Sequence, residues 1–133
     1  IDQCAGGRGR FAYNFKNILN TGVPTMFSSD APVADPNPFS GIFSAVTRKR
    51  MNHTPETGWF PDQCLTVDQA VQGYTATPAA ASGMGEITGS LAVGNRADLI
   101  VTDRNIFTVD PKEIPETRVI LTLFNGKVVY DRP

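Results

Sequence analysis

The spacing of the apolar residues changes character once along the chain, close to Gly85. Before that point apolar side chains recur at helical intervals. After it they come in short continuous runs bounded by turn residues, which is the mark of strands. The chain is therefore expected to have two parts: residues 1–84, helical with one strand, and residues 85–133, rich in β-structure. Neither an internal repeat nor a low-complexity segment interrupts this order.

In the first part Phe11, Phe15, Ile18 and Leu19 fall at i, i+4, i+7 and i+8, which predicts one helical face, and Asn20-Thr21-Gly22 supplies its stop. The apolar run Val23–Phe27 predicts a short buried strand that ends at Ser28-Ser29-Asp30. Helix, glycine turn and strand in that order form the αβ step of a parallel α/β fold. Pro32 and Pro36 then demand a loop. Asn37 is placed to cap a helix that starts at Pro38, with Phe39, Ile42, Phe43 and Val46 as its apolar stripe. Arg48, Lys49 and Arg50 would crowd its last turn, where the helix dipole favours cations. Further on, Thr66 and Gln69 make a capping box, with Leu65 and Ala70 spaced to staple it, for a helix reaching about Tyr74. Thr77-Pro78 opens another short helix, ended by Gly83.

The second part predicts strands at Leu99–Val101, Val119–Phe124 and Val128–Tyr130. Asn125-Gly126 between the last two is a type I′ hairpin signal.

Composition narrows the partners. Twelve Lys and Arg against 13 Asp and Glu leave no field that would gather a polyanion, so no nucleic-acid or membrane partner is expected. No apolar run is long enough to cross a bilayer, and the chain shows no secretory leader, so the expected location is the cytoplasm. Cys4 and Cys64 are expected to be free thiols, at least partly buried; secretion would instead let them pair and the sequon Asn52-His53-Thr54 be glycosylated. The first residues, from Ile1, hold no apolar pattern that could start a domain, which suggests a piece of something longer.

Few residues offer chemistry. By position alone Asp30 is a turn residue before Pro32, a place that suits Asp. His53 sits in a loop with Pro55 and Gly58 and has no second His or Cys at ligand spacing, so it reads as a solvated loop residue, with a substrate-facing role as the alternative. Trp59 and Phe60 read as that loop's packing anchor, with a substrate platform as the alternative. Gly83-Met84-Gly85 with Gly89 has the wrong spacing for a dinucleotide fingerprint and follows a helix. Gly6-Gly7-Arg8-Gly9 lacks the preceding strand and following Lys-Ser/Thr of a phosphate loop. Ser28 and Ser29 lack a nucleophile elbow, and no second His exists to complete a triad.

Three segments in order resemble the amidohydrolase superfamily, in particular the branch that contains N-substituted formamide deformylases. Thr21 through Val33, TGVPTMFSSDAPV, is similar to that family's last barrel strand, which ends in Ser-Asp, a small residue and Pro. Leu65 through Ala81, LTVDQAVQGYTATPAAA, resembles its last helical segment. Gly89 to Asp103, GSLAVGNRADLIVTD, resembles the turn and strand where the chain leaves the barrel, and VILTLFNGKVVYDR resembles its closing hairpin. The resemblance covers nearly the whole chain, and the run from Gly89 to Leu99, with Gly94, Arg96, Ala97 and Asp98, carries it most strongly.

The resemblance implies a (β/α)₈ barrel flanked by a small β-sandwich built from both chain ends. Such a barrel needs about 250 residues. This chain is therefore expected to supply only the barrel's last strand and helices over 1–84, followed by the C-terminal part of the sandwich over 85–133. By the same resemblance Asp30 is the catalytic residue and a metal ligand, which binds the metal and passes a proton from the attacking water to the leaving nitrogen. A catalytic zinc takes about three protein ligands, mostly His, and this sequence holds one His. The family's remaining ligands would precede Ile1. The parent is expected to use a divalent metal, zinc by preference, on the amide or N-formyl group of a small molecule, whereas this chain alone should bind none and be inactive. Its expected partners are the missing N-terminal part and, through an unpaired barrel edge, further copies of itself. A non-catalytic structural or interaction module is the other reading.

Overall fold

A computed structural model describes residues 2–132. Five α-helices come first: α1 (Asp2–Ala5), α2 (Phe15–Asn20), α3 (Pro38–Thr47), α4 (Val67–Tyr74) and α5 (Ala76–Ala81). Three strands follow: β1 (Leu99–Thr102), β2 (Val119–Phe124) and β3 (Lys127–Asp131). Short 3₁₀ helices lie at Gly6–Phe11, Pro61–Gln63 and Pro111–Glu116.

The helix starts follow local chemistry. Asn37 accepts the Phe39 N–H at 3.0 Å with Pro38 in the first turn. Thr66 and Gln69 form the reciprocal capping box, at 3.1 and 3.0 Å. The β part is an antiparallel sheet of order β1-β2-β3, with Leu99 opposite Leu123 and Phe124 opposite Lys127. Asn125 and Gly126, with φ of 50° and 75°, turn β2 into β3 as a type I′ pair requires.

Three expectations fail locally. The helical face from Phe11 to Leu19 is broken, because Phe11 ends a 3₁₀ turn and α2 begins only at Phe15. α3 stops at Thr47, and Arg48 takes a left-handed conformation (φ 56°), so Lys49 and Arg50 lie beyond the helix instead of in its last turn. The strand expected over Val23–Phe27 does not form: among the described residues the segment carries no ladder, and its one backbone bond to another element is from the Phe27 N–H to the Gly73 carbonyl at 2.9 Å. A strand exists only through its neighbours, and none lies beside this segment among the described residues.

The core gathers Phe39, Ile42 and Phe43 of α3, Ala70 of α4 and Ile114 of the third 3₁₀ helix. Phe43 and Ile114 are wholly buried, and burying a side chain of this size contributes roughly 1.5–3 kcal/mol. The core thus draws on residues before and after Gly85. The sheet contributes little to it: Ile100, Val101, Val128 and Val129 are each 40% or more exposed. No helix among the described residues is long and apolar enough to cross a membrane.

Candidate functional site

A cavity of about 870 Å³ opens between the extended segment before Asp30, α3, α4 and the loop after α3. One wall is an unbroken series of aromatic rings. Trp59 meets Tyr13 at 6.3 Å between ring centroids, Tyr13 meets Phe15 at 6.0 Å, Phe15 meets Phe27 at 5.2 Å, and Phe27 meets Tyr74 at 5.7 Å. These tilted and edge-on pairs suit the ring quadrupole and stiffen the wall. Burial pushes the Tyr74 hydroxyl pKa up.

Asp30 lies in this cavity's lining and is itself exposed. Its backbone is left-handed (φ 49°), a conformation that Asp tolerates better than most residues. The turn is held by the Asp30 N–H donating to Ser28 Oγ at 2.9 Å and the Val33 N–H donating to the Asp30 carbonyl at 2.9 Å. No hydrogen bond or ion pair engages its carboxylate among the described residues.

The same lining includes Arg48, Lys49 and Arg50. Arg48 is fixed from several directions. Its Nε donates to the Trp59 carbonyl at 3.0 Å, its Nη1 donates to the Tyr13 carbonyl at 3.0 Å, and its guanidinium lies 5.0 Å from the Trp59 ring centroid. Its own carbonyl accepts the Trp59 N–H at 2.8 Å. Desolvation lowers the Arg48 pKa, opposed by nearby Cys64 and Asp62. Its Nη2 is buried without a partner.

His53 is exposed and left-handed (φ 63°). Its ring stands edge-on to Phe43 at 5.4 Å, so it covers the core and lies outside the cavity lining. Trp59 lines the cavity, and Phe60 packs against it at 4.7 Å. Cys4 and Cys64 are free as expected, but Cys4, itself within α1, is exposed instead of partly buried. Among the described residues no three His, Cys, Asp or Glu side chains come together as a metal would need, so the residues present here do not by themselves fit a catalytic metal.

Sequence reasoning missed the basic side of this cavity. The run Arg48-Lys49-Arg50 was visible, but helix-end electrostatics already accounted for it, and only the early stop of α3 turns these residues toward Asp30's cavity.

Comparison with known proteins agrees with the order of motifs. An N-substituted formamide deformylase from Arthrobacter pascens is 35% identical over 117 residues, covering 88% of this chain and 21% of the deformylase. YtcJ of Bacillus subtilis (strain 168), a protein named as an amidohydrolase, is 30% identical over 132 residues, covering 99% of this chain and 25% of YtcJ. The chain thus spans a quarter or less of the length of these relatives. An amidohydrolase from Thermotoga maritima MSB8 shares the fold at a TM-score of 0.64 over 90% of this chain and 26% of its own, with 20% identity. The sequence pattern of the amidohydrolase family matches residues 3–130, and the chain belongs to that family.

Proposed function

We propose that this chain is the C-terminal portion of a metal-dependent hydrolase that cleaves non-peptide C–N bonds, amide or N-formyl, in small molecules. In this reading residues 1–84 complete the end of a (β/α)₈ barrel and residues 85–133 form part of a β-sandwich. The observation that carries it is the position of Asp30, an unengaged carboxylate in a large aromatic-walled cavity of a chain from the amidohydrolase family. The relative named a deformylase of N-substituted formamides supports the choice of bond.

In this reading Asp30 accepts a proton from the attacking water and returns it to the leaving nitrogen. A divalent metal, zinc by preference, would supply electrophilic activation. Its other ligands would have to come from the parent's N-terminal part, since the described residues gather no ligand set. The chain alone is therefore expected to be inactive, with that N-terminal part as its partner, in the cytoplasm. The exposed apolar residues of the sheet, Ile100, Val101, Val128 and Val129, support such a partner, because uncovered patches of this kind mark interfaces.

The test is hydrolysis of N-substituted formamides by the parent protein and its Asp30→Asn variant. The variant should lose about 10²–10⁴-fold in turnover. Retained turnover, or enzyme-like turnover by the 133-residue chain with added zinc, would contradict the reading.

The same exposed sheet favours a second reading, a non-catalytic module that self-associates through its open strand edges. Light scattering decides this one: a monomer at high concentration would dismiss it.

A further inference from the structure

We propose that the cavity holding Asp30 takes an anionic substrate, with Arg48 anchoring its carboxylate and the aromatic wall receiving its apolar part. This deepens the reading of the cavity as a substrate site and rests on it.

Charge is the first argument. The described residues lining the cavity include three cations, Arg48, Lys49 and Arg50, and one acid, Asp30, while Asp62, outside the lining, offsets part of the charge at Arg48. None of the three cations forms an ion pair among the described residues. Clefts lined by one sign of charge concentrate ligands of the other.

Geometry is the second. Arg48 is preorganised, with Nε donating to the Trp59 carbonyl, Nη1 to the Tyr13 carbonyl and its Cζ 5.0 Å from the Trp59 ring centroid. Nη1 keeps a second N–H, and Nη2 is buried without an acceptor. A buried donor left unmade is costly, and a carboxylate oxygen is the acceptor that satisfies it best. Because Nε and one N–H of Nη1 are engaged, the contact is through the N–H groups left on Nη1 and Nη2, and Lys49 and Arg50 supply the rest of the attraction through their field.

The shape of the remaining space is the third. The rings run in contact from Tyr13, whose carbonyl holds Arg48, through Phe15 to Phe27, three residues before Asp30 in the chain, so an apolar group bearing a carboxylate can lie along them. This selects amides that carry a carboxylate beside a bulky apolar group over neutral ones.

The probe pair is N-formylphenylalanine and its uncharged analogue N-formylphenylalaninamide, titrated into the 133-residue chain. The readout is the fluorescence of Trp59, the sole tryptophan. The acid should bind at least about tenfold more tightly than the amide, as one charge-assisted hydrogen bond implies, and the difference should shrink with added salt. Arg48→Lys keeps the charge but loses the fixed fork, and should cut the preference severalfold. Should that variant fail to fold, Lys49→Gln/Arg50→Gln leaves the bonds of Arg48 in place and should also lower the preference and its salt dependence.

Equal affinity for acid and amide, no saturable signal for either, or an acid preference untouched in the folded variants would overturn the proposal. These outcomes concern binding by this chain without metal or turnover. A parent protein that fails to hydrolyse formamides while this chain still prefers the acid would count against the proposed reaction and for the anion site.

Discussion

The Asp98 carboxylate accepts the backbone N–H of Asn125 at 2.6 Å, joining two turns 27 residues apart in sequence. Its second oxygen accepts from Thr88 Oγ1 at 3.3 Å, and the Gly126 N–H donates to the neighbouring Ala97 carbonyl at 3.1 Å. The Arg96-Ala97-Asp98 turn thus grips the closing hairpin at its tip. Asp98→Ala removes the acceptor of the exposed Asn125 N–H and should destabilise the chain by about 0.5–1.5 kcal/mol, read as a lower urea midpoint. Asp98→Asn keeps an acceptor oxygen and should recover much of the loss.

Ile114 is the plug between the third 3₁₀ helix and α3. Its truncation to Ala removes a wholly buried side chain and should cost about 2–5 kcal/mol, whereas Ile114→Val should cost about 0.5–1.5 kcal/mol. Denaturant melts of the two variants check the ratio. Equal costs would show that the site collapses around the change.

Gly73 lies in α4, where alanine would ordinarily stabilise a helix by about 1 kcal/mol. Here a Cβ would meet the Phe27 ring at 2.5 Å, and an overpacking cost of about 1–3 kcal/mol outweighs that gain. Gly73→Ala should therefore lower the melting temperature. It should also shift the amide resonances of Ser28–Asp30, since Phe27 leads directly into the Asp30 turn.

The two thiols should differ in reactivity. Burial pushes the Cys64 thiol pKa up, and nearby Arg48, Lys16 and Lys49 offset only part of that effect. Less thiolate at pH 7 means slower alkylation, with a rate that keeps climbing above pH 9. Cys4 is exposed and should be modified first. Peptide mapping after brief iodoacetamide treatment reads the order, and Cys64 reacting first would refute it.

Much of the local structure was legible because its causes act over a few residues. The caps at Asn37 and Thr66 are side chains reaching the next turn of backbone, and Asn125-Gly126 is a pair whose conformational preference matches the hairpin twist. Asp30's place in a cavity lining was not legible from its neighbours, since a carboxylate before a proline reads equally well as a turn. Ile114 gave no signal, because one apolar residue in Asp110-Pro111-Lys112-Glu113-Ile114-Pro115-Glu116 carries no periodicity.

The sequence by itself determined where helices begin, where the hairpin turns and which family the motifs resemble, since each depends on residues near one another or on their order. Tertiary structure alone decided that Val23–Phe27 stays unpaired, that Arg48 leaves its helix to lie against Trp59, and that Ile114 closes the core. A ladder, a ring contact and a buried plug each need a partner from a distant part of the chain, and no window of neighbouring residues contains that partner.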